Sequence, residues 1–134
     1  MVMEHIRKAG ALIISKRCLL IVRPHNKSFF INPRGKYEQG ETTTQCLKRE
    51  LQEELKINLK AYKHYKTYRI AKAVHHQNPL ILELYLVDYS GEIKPSSEVE
   101  CVEWMSKEDF YNKKFNIAPS FYEFVPDLMN DRLL

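Results

Sequence analysis

Residues 9–14 and 18–23 are dense in Ala, Leu, Ile and Val and are joined across Ser15, Lys16 and Arg17, which predicts two short strands in a hairpin. Phe29, Phe30 and Ile31 make a brief strand-like piece that Asn32 and Pro33 end. Residues 35–41 have loop composition, with glycine at positions 35 and 40. The clearest helix spans 43–56. Thr42 and Gln45 form a capping-box signature there, and Leu47, Leu51 and Leu55 make one apolar stripe. Residues 62–74 and 80–87 read as two strands around a turn at His76, Gln77, Asn78 and Pro79, and 99–105 as another. Ser106 is placed to cap a short helix through Phe110, with Asp109 at its third position. A last helix is expected over 120–130, where Pro126 should bend or break it. Strands mixed with two or three helices predict an α/β or α+β chain.

The chain has 134 residues, 44% hydrophobic and 28% charged, which suits one ordinary globular domain over 1–134 rather than a disordered segment. No apolar run reaches the roughly 18 residues of a membrane span. The first eight residues carry Glu4, Arg7 and Lys8 but no apolar core, so no secretory leader is expected and the reading is cytoplasmic. Cys18, Cys46 and Cys101 lack a CxxC spacing, which argues against a disulfide framework or zinc site and for small core residues. Charge is uneven: residues 1–82 hold 16 Lys+Arg against 6 Asp+Glu, while 83–134 hold 5 against 11. The densest basic stretch, Lys60, Lys63, Lys66, Arg69 and Lys72 with Tyr62, Tyr65 and Tyr68 between, reads as a phosphate-attracting rim or a solvated strand face.

The most informative pattern lies in 35–57. Glu50, Glu53 and Glu54 fall within a helical arc of about 100°, beside the arc of Leu47, Leu51 and Leu55. Three neighbouring anions repel, and the usual offset is a hard divalent cation such as Mg²⁺ or Mn²⁺. Helical glutamates alone also suit a solvated face, so the whole spacing matters. Gly35, Glu41, Arg49, Glu50, Leu51, Glu53, Glu54 and Ile57 would match by chance on the order of once in 10⁸ starts.

That spacing resembles the box of the Nudix hydrolases, G-x5-E-x7-R-E-U-x-E-E-x-G-U with U aliphatic. One position departs, since Lys56 stands where the box has its last glycine. That glycine ends the helix in a left-handed conformation, and Asn58 is a candidate to take over the stop. The likeness extends to Leu19–Arg23 as the strand before the loop, to Pro33-Arg34-Gly35, to Leu84-Tyr85-Leu86-Val87, and to Glu98 six residues before Trp104.

The resemblance implies an α/β/α sandwich around a mixed sheet and metal-dependent hydrolysis of a nucleoside diphosphate linked to another group. Carried over by position, Glu50, Glu53 and Glu54 would be metal ligands, one of them a general base. The backbone carbonyl of Arg34 and the carboxylate of Glu98 would join them, with Glu100 and Glu103 competing for the last place. Arg49 would orient the glutamates, while Arg23 and Gly35 would meet substrate. His75 and His76, adjacent in sequence, read as a turn rather than a metal pair. Trp104 reads as core or a packing lid. The short chain fits the MutT-like enzymes acting on intact or oxidised nucleoside triphosphates. Their base-reading Asn is replaced by Pro119, however, with Asn116 nearby. An RNA 5′-end or dinucleoside polyphosphate hydrolase, and a silent nucleotide-binding module, are the alternatives.

Overall fold

The structure is a computed structural model that describes residues 5–71 and 79–134. The expected turn at 76–78, the histidine pair and Lys72 lie outside the described residues. The strands are β1 (Ile6–Leu12), β2 (Ile14–Ser15), β3 (Cys18–Pro24), β4 (Arg34–Lys36), β5 (Asn58–Ile70), β6 (Leu80–Ser90) and β7 (Val99–Met105), and the helices α1 (Thr43–Leu55), α2 (Lys107–Tyr111) and α3 (Phe121–Asn130). One sheet has the order β4-β1-β6-β5 and the other β2-β3-β7. The β1–β6 pair is parallel and the rest are antiparallel.

The four-stranded sheet is covered on both faces, which is why β1 and β6 are apolar at successive positions. Side chains alternate faces along a strand. Ala9 and Tyr85 pack with Cys46 and Leu47 of α1, whereas Leu12, Leu80, Leu82 and Leu84 pack with Phe121, Phe124, Val125 and Leu128 of α3. This is an α/β arrangement of helix, mixed sheet and helix, as the resemblance implies. Leu51 and Leu55 of α1 join Ala11, Leu20, Val22 and Val99 in a further cluster that ties the two sheets together. Among the described residues no helix is long and apolar enough to cross a membrane.

Four details differ from the sequence expectation. β1 does not form a hairpin with β3: only Ile14 and Ser15 pair with it, and β1 belongs to the other sheet. The turn itself is real, with Lys16 and Arg17 both left-handed at φ 50 and 60. Gly35 and Lys36, expected as loop, pair with β1 together with Arg34, while Phe30 and Ile31 make only isolated bridges. β5 starts at Asn58, four residues early. α3 runs through Pro126 without breaking.

Candidate active site

The helix that carries the glutamates is fixed at both ends. Thr42 accepts from the Gln45 backbone while Gln45 accepts from the Thr42 backbone, closing the expected capping box. At the other end Lys56 itself takes the left-handed stop at φ 57, ψ 35, with its N–H donating to the Gln52 carbonyl at 3.2 Å. Asn58 does not serve as the stop: it already belongs to β5. The buried Cys46, Leu47, Leu51 and Leu55 anchor one side of α1, so Glu50 and Glu54 emerge beside β4. Gly35 of β4 makes room for them, because a Cβ there would lie 1.9 Å from Glu50 Oε1.

Arg49 organises this corner. Its Nε and Nη2 donate to the two oxygens of Glu41 at 2.7 and 2.9 Å, its Nη1 to Glu50 Oε1 at 2.5 Å, and its Nη2 also to the Lys36 carbonyl at 2.9 Å. The fork therefore ties the loop before α1 to β4 and aims Glu50. Bonding to Arg49, then to the Glu38 amide, holds the Glu41 carboxyl down at about 2. Tyr37, whose hydroxyl donates to Glu83 at 2.6 Å and meets Thr43 at 2.9 Å, pins the start of the same loop.

A cleft of about 880 Å³ opens beside this corner, lined by Glu50, Glu54 and Glu98, by Lys8, Arg34 and Lys36, and by apolar residues that include Ile31, Ile70, Leu80 and Pro119. Glu54 is only 8% exposed, and its Oε1 has no hydrogen-bond partner. Burial, then a hydrogen bond and charge shared with Glu50, push its carboxyl well above the usual range. A buried carboxyl with an orphaned oxygen beside a second carboxylate is costly by itself and suits an oxygen-loving cation. Glu98 reaches the cleft because Lys94 and Ser96 donate their backbone N–H groups to the Leu55 and Glu54 carbonyls, both at 2.9 Å. Among the described residues no three acidic, histidine or cysteine side chains converge on one point as placed. An ion held by Glu50 and Glu54 would need Glu98 or Glu53 to swing in.

The other expected site residues divide. Glu53 is on the outer side of α1, 3.6 Å from Arg49, and does not line the cleft. Arg23 pairs with Glu100 at 3.0 Å and donates to the Lys27 carbonyl, so Glu100 already has a cation. Glu103 and the 37%-exposed Trp104 lie on β7 away from the cleft. Asn116 donates to the Ser28 carbonyl at 2.9 Å, and Pro119 is in the cleft wall. In the basic strand, Tyr65 bonds Asp131 just past α3 and Tyr68 bonds Asp127 of α3, and Lys66 pairs with the same two acids. Residues missed in the sequence are Lys8, Asn32 and Ser120. Arg34 is half-buried with its Nε shut off from solvent, and its Nη2 donates to Asn32 Oδ1 at 2.6 Å and Ser120 Oγ at 3.0 Å. Burial brings its guanidinium down to about 10, and nearby Glu54 opposes that shift. A lysine and a serine on the flanks of apolar runs give no sequence signal of a shared cleft.

The family model that describes the NUDIX domain matches residues 4–128. No curated protein matches the chain by sequence. Among solved structures it is similar to the E. coli ORF135 protein, at TM-score 0.78 and 24% identity over 97% of this chain and 92% of that one. It is also similar to MutT of Aliivibrio salmonicida and Vibrio cholerae, at 0.73 and 20% over 96% and 99%. A third likeness is to a bifunctional NMN adenylyltransferase/ADP ribose pyrophosphatase of Francisella tularensis complexed with AMP and Mn ion. There the values are 0.73 and 21%, over 97% of this chain and 42% of that one. At these identities the likeness is one of fold.

Proposed function

The chain belongs to the Nudix family and is a nucleotide pyrophosphohydrolase, and on that premise we propose that it cleaves a nucleoside triphosphate, intact or oxidised, to the monophosphate and pyrophosphate with Mg²⁺ or Mn²⁺. The observation that carries this reading is the buried Glu54 with its unpartnered oxygen beside Glu50, facing a cleft that also holds Lys36. The two carboxylates with Lys36 beside them suit a polyphosphate that arrives with a divalent ion. A cleft of about 880 Å³ has room for a mononucleotide.

The ion, when bound, neutralises phosphate charge and acidifies a bound water. Glu50 and Glu54 would hold it, with Glu98, Glu53 and the backbone carbonyl of Arg34 completing the set. Arg49 keeps Glu50 in position through its 2.5 Å bond, and Glu41 fixes Arg49. Lys36, held beside Arg49 by its own carbonyl, offers its ammonium to the phosphate chain. Arg23 would have to exchange Glu100 for a phosphate to take part. An RNA-end substrate draws less support, because Tyr65, Lys66 and Tyr68 of the basic strand are engaged by α3.

The test is release of pyrophosphate and of phosphate from a panel of nucleotides with Mg²⁺ and Mn²⁺. Metal-dependent pyrophosphate release that Glu54→Gln abolishes is the expected result. No release from any nucleotide, or unchanged turnover in Glu54→Gln, would overturn it.

A further inference from the structure

Beside the Glu50 and Glu54 carboxylates, the polar side chains that β1, β4 and Ser120 give to the cleft, Lys8, Arg34, Lys36 and the serine hydroxyl, are donors. Lys8 projects from β1 directly opposite Lys36 of β4 and beside Leu82 of β6. Like charges opposed across a strand pair are unfavourable. Lys8 makes no hydrogen bond or ion pair with any described residue, and burial, then the charges of Arg34 and Lys36, lower its affinity for a proton against the opposing pull of Glu50 and Glu54. Arg34 is fixed by Asn32 and Ser120, while its Nε is buried without an acceptor. Asn32 has no acceptor to spare: its Nδ2 donates to the Ala11 and Pro33 carbonyls at 3.3 Å, which turns Oδ1 onto Arg34. Ser120 Oγ already accepts from Arg34, which leaves its hydroxyl hydrogen to give. The nearby Ala118 and Pro119 carbonyls are occupied by the Phe121 and Tyr122 amides.

Around these donors the walls are apolar: Ile31, Ile70, Leu80, Ala118 and Pro119. A phosphate group fits poorly there, because it would lose its hydration against hydrocarbon. A flat base fits, provided that the edge it turns to Lys8 and Arg34 carries acceptors. We infer that Lys8 and Arg34 read the nucleobase as hydrogen-bond donors, and that the cleft therefore selects 6-keto purines over 6-amino ones. The inference rests on the nucleotide reading above and names the base class within it. A 6-amino group would set donor against donor between apolar walls, the arrangement by which polar sites reject a wrong substrate most strongly.

The experiment measures kcat/KM for ITP, GTP and ATP in the wild type, Lys8→Met and Lys8→Gln, with binding of IMP and AMP to metal-free protein by calorimetry. The expected wild-type preference for ITP over ATP is at least about tenfold. Lys8→Met removes the donors and should bring the ratio within about threefold. Lys8→Gln adds an acceptor and should raise ATP against ITP. In calorimetry IMP should bind the wild type more tightly than AMP, and Lys8→Gln should erase the difference. Equal losses on all three triphosphates in Lys8→Met would make Lys8 a phosphate contact and overturn the inference, as would ratios that neither variant moves. If no triphosphate is hydrolysed but IMP is still favoured over AMP through Lys8, base reading stands and the hydrolase reading falls.

Discussion

Gly35 and Glu50 occupy one space: a Cβ on the glycine would lie 1.9 Å from Oε1 and 2.0 Å from Cδ of the glutamate. The strand can approach the helix this closely only with hydrogen at position 35. Gly35→Ala must therefore push Glu50 off Arg49 and out of line with Glu54. We expect kcat/KM to fall by about a hundredfold or more, as for a misplaced catalytic group. The melting temperature should drop only slightly, because Glu50 is at the rim of the core. Steady-state kinetics beside a thermal melt separates the two effects.

Glu54→Gln should disconnect stability from activity. Without metal, the amide removes a buried carboxyl with an orphaned oxygen, so the melting temperature should hold or rise. With millimolar Mg²⁺ the wild type should gain stability, since an ion that binds the folded state favours it, while the variant should gain little. A wild-type-sized Mg²⁺ shift in the variant would remove Glu54 from the ligand set.

Lys56 adopts a left-handed conformation at φ 57, a region that costs a side chain with a Cβ roughly 1 kcal/mol. Lys56→Gly should stabilise the chain by up to about 1 kcal/mol in urea unfolding. Turnover should not change, because residue 56 does not line the cleft. A tenfold loss of activity would contradict that placement.

Glu98 is in the cleft wall, Glu100 is held by Arg23 at 3.0 Å, and Glu103 lies on β7 outside the cleft. Glu98→Gln should lower metal-dependent turnover by about tenfold or more, the scale of losing one group that acts on the reacting centre. Glu103→Gln should have little effect. The reverse order of the two variants would put the loop in a different register.

The Glu41 carboxyl, held near 2 in the fold against an ordinary 4.5, adds stability above the ordinary value. That contribution fades as pH falls from 4.5 towards about 2, where the folded carboxylate takes up its proton. The melting-temperature difference between wild type and Glu41→Gln should be full at pH 7 and shrink steadily below pH 4.5. A difference that stays constant down to pH 3 would mean that Arg49 does not hold Glu41 in solution.

Features set by neighbouring residues were legible in the sequence. Both capping boxes, at Thr42–Gln45 and Ser106–Asp109, formed as read, because each needs only four consecutive residues. The leucine arc of α1 and the pairing of Glu50 with Glu54 followed from helical periodicity alone, while Glu53 of the same arc faces outward. The partners of β1 did not, since a tight turn at Lys16 and Arg17 says nothing about which sheet the preceding strand enters. The roles of Lys8 and Ser120 were equally hidden. They meet only because β4, three residues long, pairs with β1 and carries Arg34 across to the start of α3. Arg34 was expected at the site through its backbone carbonyl, and its side chain also proved to be fixed in the cleft wall.

The clasp between loop 91–98 and the end of α1 has a dynamic consequence. The Lys94 and Ser96 amides bond the Leu55 and Glu54 carbonyls, so the loop cannot lift without stripping the helix of its terminal partners. Fraying at the helix end and departure of Glu98 are then one cooperative opening, with a single free energy and a single exchange rate for both amides. Substitutions in the loop that never touch a carboxylate still set the fraction of time for which Glu54 and Glu98 face each other. A cation bound between them would lengthen the closed interval and slow deuterium uptake across the whole segment.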